Sequence, residues 1–246
     1  IKPHDMNQDG FLDEPKMLQF NVANRWLYMA DNGVQVRFGV RAIQDTRHGG
    51  QMLQIDGKHV MYDKDDYTAD PLSPEAKIQP WGSDIMNRSL NGYVKVGVPL
   101  NEDNSQNIAL IADYSYQDMD SYFGATKYLA GQHSAFANLL YQNVISDSHR
   151  FTLGLNGTFD RYDEDFKRVV WMAPVAEKNG ITDLANTGVF GEYTFNAGEK
   201  FSAIAGLRGD WFYKQGFKVS PRVTLKYMPV DEVVIRANGG RGLRYS

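Results

Sequence analysis

The segment FSAIAGLRGDWFY (residues 201–213) and the following VSPRVTLKY (219–227) change character at almost every step. Phe201, Ala203, Ala205, Leu207, Gly209, Trp211 and Tyr213 form one uncharged row, while Ser202, Arg208 and Asp210 fall on the other. Val219, Pro221, Val223, Leu225 and Tyr227 repeat this against Ser220, Arg222, Thr224 and Lys226. Val189, Gly191, Tyr193 and Phe195 precede them against Glu192 and Thr194; Val233, Ile235 and Ala237 follow against Arg236 and Asn238. A period of two marks strands with one apolar and one polar face. The runs last roughly 9 to 13 residues, about twice the ~5–6 usual in soluble sheets and close to the ~9–11 that a tilted strand needs to cross a bilayer. On this reading the charged row lines a lumen and the aliphatic and aromatic row meets lipid.

Working outward, the same rhythm predicts strands over about Lys16–Met29, Val34–Thr46, Asn87–Pro99, Ile108–Tyr116, Ser134–Ile145 and Arg150–Tyr162. Short turns fall near residues 31, 102, 147, 198 and 230, and Asn32-Gly33 is a strong hairpin signal. Longer connections are expected over 47–84, 121–132 and 163–184, with an unusually tight one near 215. About ten strands joined alternately by short turns and long loops make the meander of an outer-membrane barrel. The predicted fold class is all-β: an antiparallel up-and-down transmembrane β-barrel segment, with residues 1–246 as a single unit. A soluble β-rich sandwich also alternates; strand length and the rhythm of the connections favour the barrel.

Composition agrees. The 246 residues are 42% hydrophobic and 23% charged, with a net charge of −4, and no apolar run reaches the ~18 residues of a membrane helix. Alternating strands hide from such averages. The absence of cysteine removes disulfides and thiolate metal sites, and the mildly acidic balance argues against nucleic acid as a partner. Aromatic residues reach 13%; in a barrel they would form girdles at the two water–lipid boundaries, and in a soluble protein they would be core. The chain opens on the polar Ile1-Lys2-Pro3-His4-Asp5 without a signal peptide, and is read as a mature or cut segment.

The sharpest local motif lies in residues 1–15, read as an extracellular loop. Asp5, Asn7 and Asp9, then Gly10, Phe11 and Asp13, follow the pattern D-x-N-x-D-G-x-x-D. Calcium takes six to eight hard oxygens, and alternate side chains can wrap round one ion. Asp5, Asn7, Asp9 and Asp13, with the main-chain oxygen of Phe11, are the candidate ligands. Lys16 stands where an EF-hand has its bidentate Glu, and no amphipathic helices flank the loop. The alternative is an acidic turn that binds nothing. A second cluster, Asp56, Asp63, Asp65, Asp66 and Asp70, sits in the 47–84 segment, also read as extracellular; it lacks ligand spacing and reads as a solvated loop.

An enzymatic reading is weaker. Ten-stranded outer-membrane proteases of the omptin type place acids and a histidine at the outer rim, where Asp118, Asp120 and His133 fall. Acid–base chemistry needs partners within hydrogen-bond reach, and loop positions do not supply that. His4, His48, His59, His133 and His149 read as scattered surface residues. No phosphate loop, nucleophile elbow or His-Glu metal helix appears. The chain is therefore not expected to be an enzyme.

Residues 220–229 (SPRVTLKYMP), then Val233, Val234, Ile235 and residues 236–244 (RANGGRGLR), resemble the barrel of TonB-dependent outer-membrane receptors. Gly206-Leu207-Arg208-Gly209-Asp210 is similar to the same family's G-x-R-x-D strand. The opening acidic loop, Asn24-Arg25-Trp26 and residues 45–51 (DTRHGGQ) look like the branch found in Bacteroides-type bacteria. The resemblance implies a middle section of a barrel of ~22 strands, without the N-terminal plug domain and stopping in mid-strand at Tyr245-Ser246. It implies a receptor in a Gram-negative outer membrane, in contact with its lipid, importing cobalamin, haem or a ferric siderophore. TonB, acting through a plug absent from this chain, and a surface lipoprotein would be its partners.

Overall fold

The computed structural model describes residues 5–55, 58–63, 80–168 and 176–242. Ten strands form one antiparallel meander: β1 (Lys16–Met29), β2 (Gln35–Gly50), β5 (Gly82–Pro99), β6 (Gln106–Phe123), β7 (Thr126–Ser146), β8 (His149–Arg168), β9 (Ala176–Ala197), β10 (Phe201–Phe212), β11 (Gly216–Val230) and β12 (Val233–Gly240). A small hairpin, β3 (Met52–Ile55) with β4 (Lys58–Met61), interrupts the order between β2 and β5. Each strand of the large sheet pairs with the next in sequence, and β1 and β12 are its edges. The sheet is open among the described residues.

The predicted parity holds across the register. Leu110 lies opposite Leu139, Leu139 opposite Leu155, and Leu155 opposite Val189, one apolar row crossing four strands. On the other face Asn91 opposes Ser115, Gln117 opposes Gln132, and Gln132 opposes Tyr162. Among the described residues only Tyr62 (3% exposed) and Phe212 (8%) are buried hydrophobics, whereas Leu18, Phe20, Val22, Leu155, Val189 and Leu207 are exposed. The accessible surface is 17149 Å². A compact soluble chain of 27.8 kDa would show about 11,000 Å². Among the described residues no second layer covers the apolar face, which argues against the sandwich reading.

Aromatic pairs mark two levels on that face. Toward the short turns stand Trp26 stacked on Phe38 (4.8 Å), Tyr141 near Phe151 (5.8 Å), and His149 beside Tyr193 and Phe195 (6.0 and 5.3 Å). Toward the opposite rim His133 sits 4.8 Å from Tyr116 and 6.3 Å from Tyr114. From Phe151 to Phe159 on β8, at ~3.4 Å per residue, the span is about 27 Å along the strand, or about 21 Å vertically at a tilt of ~40°. That height approaches the ~25 Å apolar band of outer-membrane barrels.

Several predicted loops are strand instead. The 121–132 connection is a tight hairpin in which Phe123 opposes Thr126. In the 163–184 segment, β8 continues to Arg168 and β9 begins at Ala176. In the 47–84 segment, β2 runs on to Gly50, the β3–β4 hairpin follows, and β5 starts at Gly82. The 64–79 stretch, with Asp65, Asp66 and Asp70, lies outside the described residues, as do Asp56, His4 and residues 243–246. The reason for the extra length is visible on the outer face. Above the aromatic level it carries cross-strand ion pairs, Arg88–Asp118 (2.5 Å), Lys127–Asp165 (3.6 Å) and Arg161–Asp183 (3.9 Å). Charged residues on both faces erase the apolar alternation from which the strands were read.

Candidate functional site

The N-terminal loop closes on itself. The Asp9 amide donates to Asp5 Oδ1 (3.2 Å) and Asn7 Oδ1 (3.2 Å), the Gly10 amide to Asp5 Oδ2 (2.9 Å), and the Met6 amide to Asp13 Oδ2 (2.7 Å). The Phe11 amide donates to Asp9 Oδ1 (2.8 Å), and Asn7 Nδ2 to Asp9 Oδ2 (2.9 Å). Gly10 has φ +84°, a left-handed turn that favours glycine. Asp5, Asn7, Asp9 and Asp13 thus share one loop, and their side-chain oxygens accept hydrogen bonds from within it. Among the described residues no three carboxylates or imidazoles gather round one point as a metal site. The donor chemistry of this loop is nonetheless the hard-oxygen set that calcium takes.

Main-chain bonds fasten this loop to the rim. Leu12 N donates to Gly50 O (2.9 Å), Met52 N to Gly10 O (2.6 Å), and Phe11 bridges Gln51. Beside it Gln51 N donates to Trp81 O, Trp81 N to Gln51 Oε1, and Tyr62 Oη to Gly124 O (3.1 Å). Pro80, Tyr62 and Ser121 are buried here, making a small local core at the rim.

Asp118, Asp120 and His133 do not form an acid–base site. All three face outward, and His133 Nδ1 hydrogen-bonds Tyr114 Oη (2.8 Å) while Asp118 pairs with Arg88. Their geometry belongs to an aromatic girdle and the charged zone above it.

The inner wall is the surface that could receive a solute. High on β7 and β8 it carries Tyr128, whose hydroxyl donates to Glu164 Oε1 (2.7 Å), and Gln132, whose amide reaches Ser134 (2.9 Å) and Tyr162 (3.3 Å). Lower, Arg208 holds Asp210 and also donates to Asn156 Oδ1 (2.9 Å). The sequence gives the inward parity of these residues; it does not give their cross-strand partners, because those depend on the register of neighbouring strands. Where a tight turn joins the strands, as at Asn32-Gly33 between β1 and β2, the turn fixes that register.

A family described as "TonB dependent receptor-like, beta-barrel" matches residues 18–245. No curated protein sequence matches this one. Among solved structures, the crystal structure of the ferric yersiniabactin uptake receptor FyuA from Yersinia pestis is similar over 91% of this chain and 41% of its own, with 13% identity and a TM-score of 0.48. This chain therefore spans less than half the length of that protein.

Proposed function

This chain belongs to the TonB-dependent receptor β-barrel family, and from that premise we propose that it forms part of the wall of a Gram-negative outer-membrane receptor. The nutrient it serves is a large scarce solute: cobalamin, haem or a ferric siderophore. The family is one of transport receptors, which bind a nutrient and TonB. The observation that supports the reading most is the two-faced sheet itself. One face is apolar between two aromatic levels and suits lipid; the other carries amides, hydroxyls and ion pairs and suits a water-filled path.

In this reading the outer wall contacts outer-membrane lipid, and TonB reaches the receptor through a plug domain. The Bacteroides-like motifs point to a surface lipoprotein as a further partner. Calcium is a structural ion of the N-terminal loop, held by Asp5, Asn7, Asp9, Asp13 and the Phe11 carbonyl. The decisive experiment deletes the receptor and measures uptake of labelled cobalamin, haem and ferric siderophore, alongside fractionation of the envelope. Loss of one uptake, restored by the intact gene and dependent on TonB, is expected. Recovery of the protein in a soluble fraction, or unchanged uptake of all three solutes, would refute the proposal.

A further inference from the structure

The outward wall around β7 carries two charge levels in a fixed order, at and just above the upper aromatic level. At the first, Tyr116 on β6, His133 on β7 and Arg161 on β8 lie side by side. Two residues farther out on each strand, Asp118, Gly131 and Asp163 form the second. The step between the levels is about 7 Å at ~3.4 Å per residue. Two residues the other way, Ala135 lies between Tyr114 and Phe159, where the apolar face begins. β6, β7 and β8 each have a strand of this chain on either side, so neither the rest of the barrel wall nor the lumen borders this patch.

The first level offers donors. Arg161 Nε stands 3.9 Å from Asp183 Oδ1, too long for a hydrogen bond, and the Arg161 side chain is 46% exposed. Its N–H fork is therefore open to the outside. Directly opposite, His133 Nδ1 lies 2.8 Å from Tyr114 Oη. The imidazole nitrogen is the stronger acceptor of the two, so the hydroxyl donates and the ring keeps its proton on Nε2. Arg161 and His133 stand ~5 Å apart at Cβ, and a guanidinium can grip a phosphate with two parallel hydrogen bonds.

The second level offers acceptors. Gly131 separates Asp118 from Asp163, two strand spacings or about 10 Å apart. A Cβ built on Gly131 meets no atom within 4 Å, so the gap between the carboxylates is open. Asp118 also holds Arg88 through Oδ2 (2.5 Å), on its far side from the gap. A free anion would use only the first level and a free cation only the second. Both together suit a zwitterion whose anionic end lies nearer the hydrocarbon and whose cationic end lies nearer the water.

We propose that this patch binds the headgroup of a membrane lipid bearing phosphoethanolamine. The phosphate sits on Arg161 and His133, the ammonium over Gly131 between Asp118 and Asp163, and the acyl chains run past Ala135 onto the apolar face. A primary ammonium suits the upper level because it has N–H donors for both carboxylates. This rests on the receptor reading only in that the outward wall meets lipid.

The test uses the full receptor in mild detergent, titrated with phosphatidylethanolamine, phosphatidylglycerol or diacylglycerol, with retained lipid counted by native mass spectrometry. Saturable retention of phosphatidylethanolamine, about fivefold or more tighter than either other lipid, is expected. Arg161→Gln should weaken it by about fivefold or more. Asp163→Asn should bring it down to the level of phosphatidylglycerol without weakening the latter. Gly131→Leu should weaken it with every charge retained, because the side chain fills the gap. Arg222→Gln, on the inner wall, should change nothing. Heat-modifiable migration on gels verifies that each variant folds. Wild-type affinities for the three lipids within about twofold, or a preference that survives Arg161→Gln or Asp163→Asn, overturn the site. Displacement of the lipid by millimolar soluble phosphoethanolamine would assign the patch to a free solute and overturn it as well. Recovery of the protein in a soluble fraction defeats the receptor reading, whereas a folded receptor without headgroup preference defeats only this site.

Discussion

Arg208 holds Asp210 at two points from two residues away on the same strand: Nε donates to Oδ2 at 2.7 Å and Nη2 to Oδ1 at 2.6 Å. Asp210 is only 4% exposed, while the Arg208 side chain is 36% exposed. Gly188 lies directly opposite Asp210 on β9, and a Cβ there would come within 2.6 Å of Asn156 Oδ1 and 2.8 Å of Arg208 Nη2. Glycine is what lets the cluster pack flat against the neighbouring strand. Asp210→Ala should therefore destabilise the wall by about 1–3 kcal/mol; it stays below the 3–5 kcal/mol of a fully buried pair because water screens the half-open arginine.

Gly188→Ala should cost a similar ~1–3 kcal/mol, by overpacking rather than by loss of a bond. The two substitutions act on one cluster, so the double variant should cost measurably less than the sum. Urea unfolding in detergent, followed by tryptophan fluorescence, measures all three. Strict additivity would show that Gly188 and Asp210 do not share this space.

The row Leu110, Leu139, Leu155 and Val189 lies at mid-height of the apolar band. Arginine in place of Leu139 would meet hydrocarbon, with a cost of about 2–4 kcal/mol at the bilayer midplane. Arginine in place of its neighbour Asn138, which points to the lumen, should cost clearly less. Folding yields into liposomes separate the two. Equal penalties would mean that both faces see the same medium, which contradicts the assignment of lipid to one parity.

What the sequence disclosed, and what it hid, follows from the same physics. The strand β1 was legible to its end residues because Leu18, Phe20, Val22, Trp26 and Tyr28 alternate up to a turn built on Asn32-Gly33. The upper halves of β7, β8 and β9 were not. There Lys127, Asp163, Asp165 and Glu177 face outward as well, so no unbroken apolar row survives to betray the strands. The pairing of Arg37 with Lys95 across β2 and β5 could not be read at all, because its register is set across residues 51–81 and not by a tight turn. The acidic loop was visible as a motif, and its main-chain ties to Gly50 and Met52 were not.

If the N-terminal loop holds calcium, the ion stabilises the folded state by mass action. At a free concentration about 100 times the dissociation constant the gain is about 2.7 kcal/mol. Melting in calcium should exceed melting in chelator, and Asp9→Ala should erase the difference. Because Gly10 and Leu12 bond to Met52 and Gly50, protease protection of the β3–β4 hairpin should rise with the ion as well. Identical melting with calcium and with chelator would rule the ion out.

The turn between β5 and β6 offers a test in acid. The Ser105 amide donates to Asp103 Oδ1 at 3.1 Å, and this bond, reinforced by the Ser105 hydroxyl, holds the Asp103 carboxyl below its ordinary 3.8. Its pKa is lowered in the folded chain, so the carboxylate form is the stabilising one. The contribution is fully present above about 3.8 and is lost as pH falls through the lower, folded value. Asn101 holds the other side of the same turn, its Nδ2 donating to Ser105 Oγ (2.7 Å) and its Oδ1 accepting from the Gln106 amide (3.0 Å). Asp103→Ala should therefore melt slightly below wild type by a constant margin from neutral pH down to about 4, with the margin closing only in stronger acid. Asp103 is fully exposed, so the margin is small, and added salt should barely move it because the bond is to a neutral amide. A margin that instead closes between pH ~7 and ~5 would assign the effect to another group and leave the Ser105 bond without a role in stability.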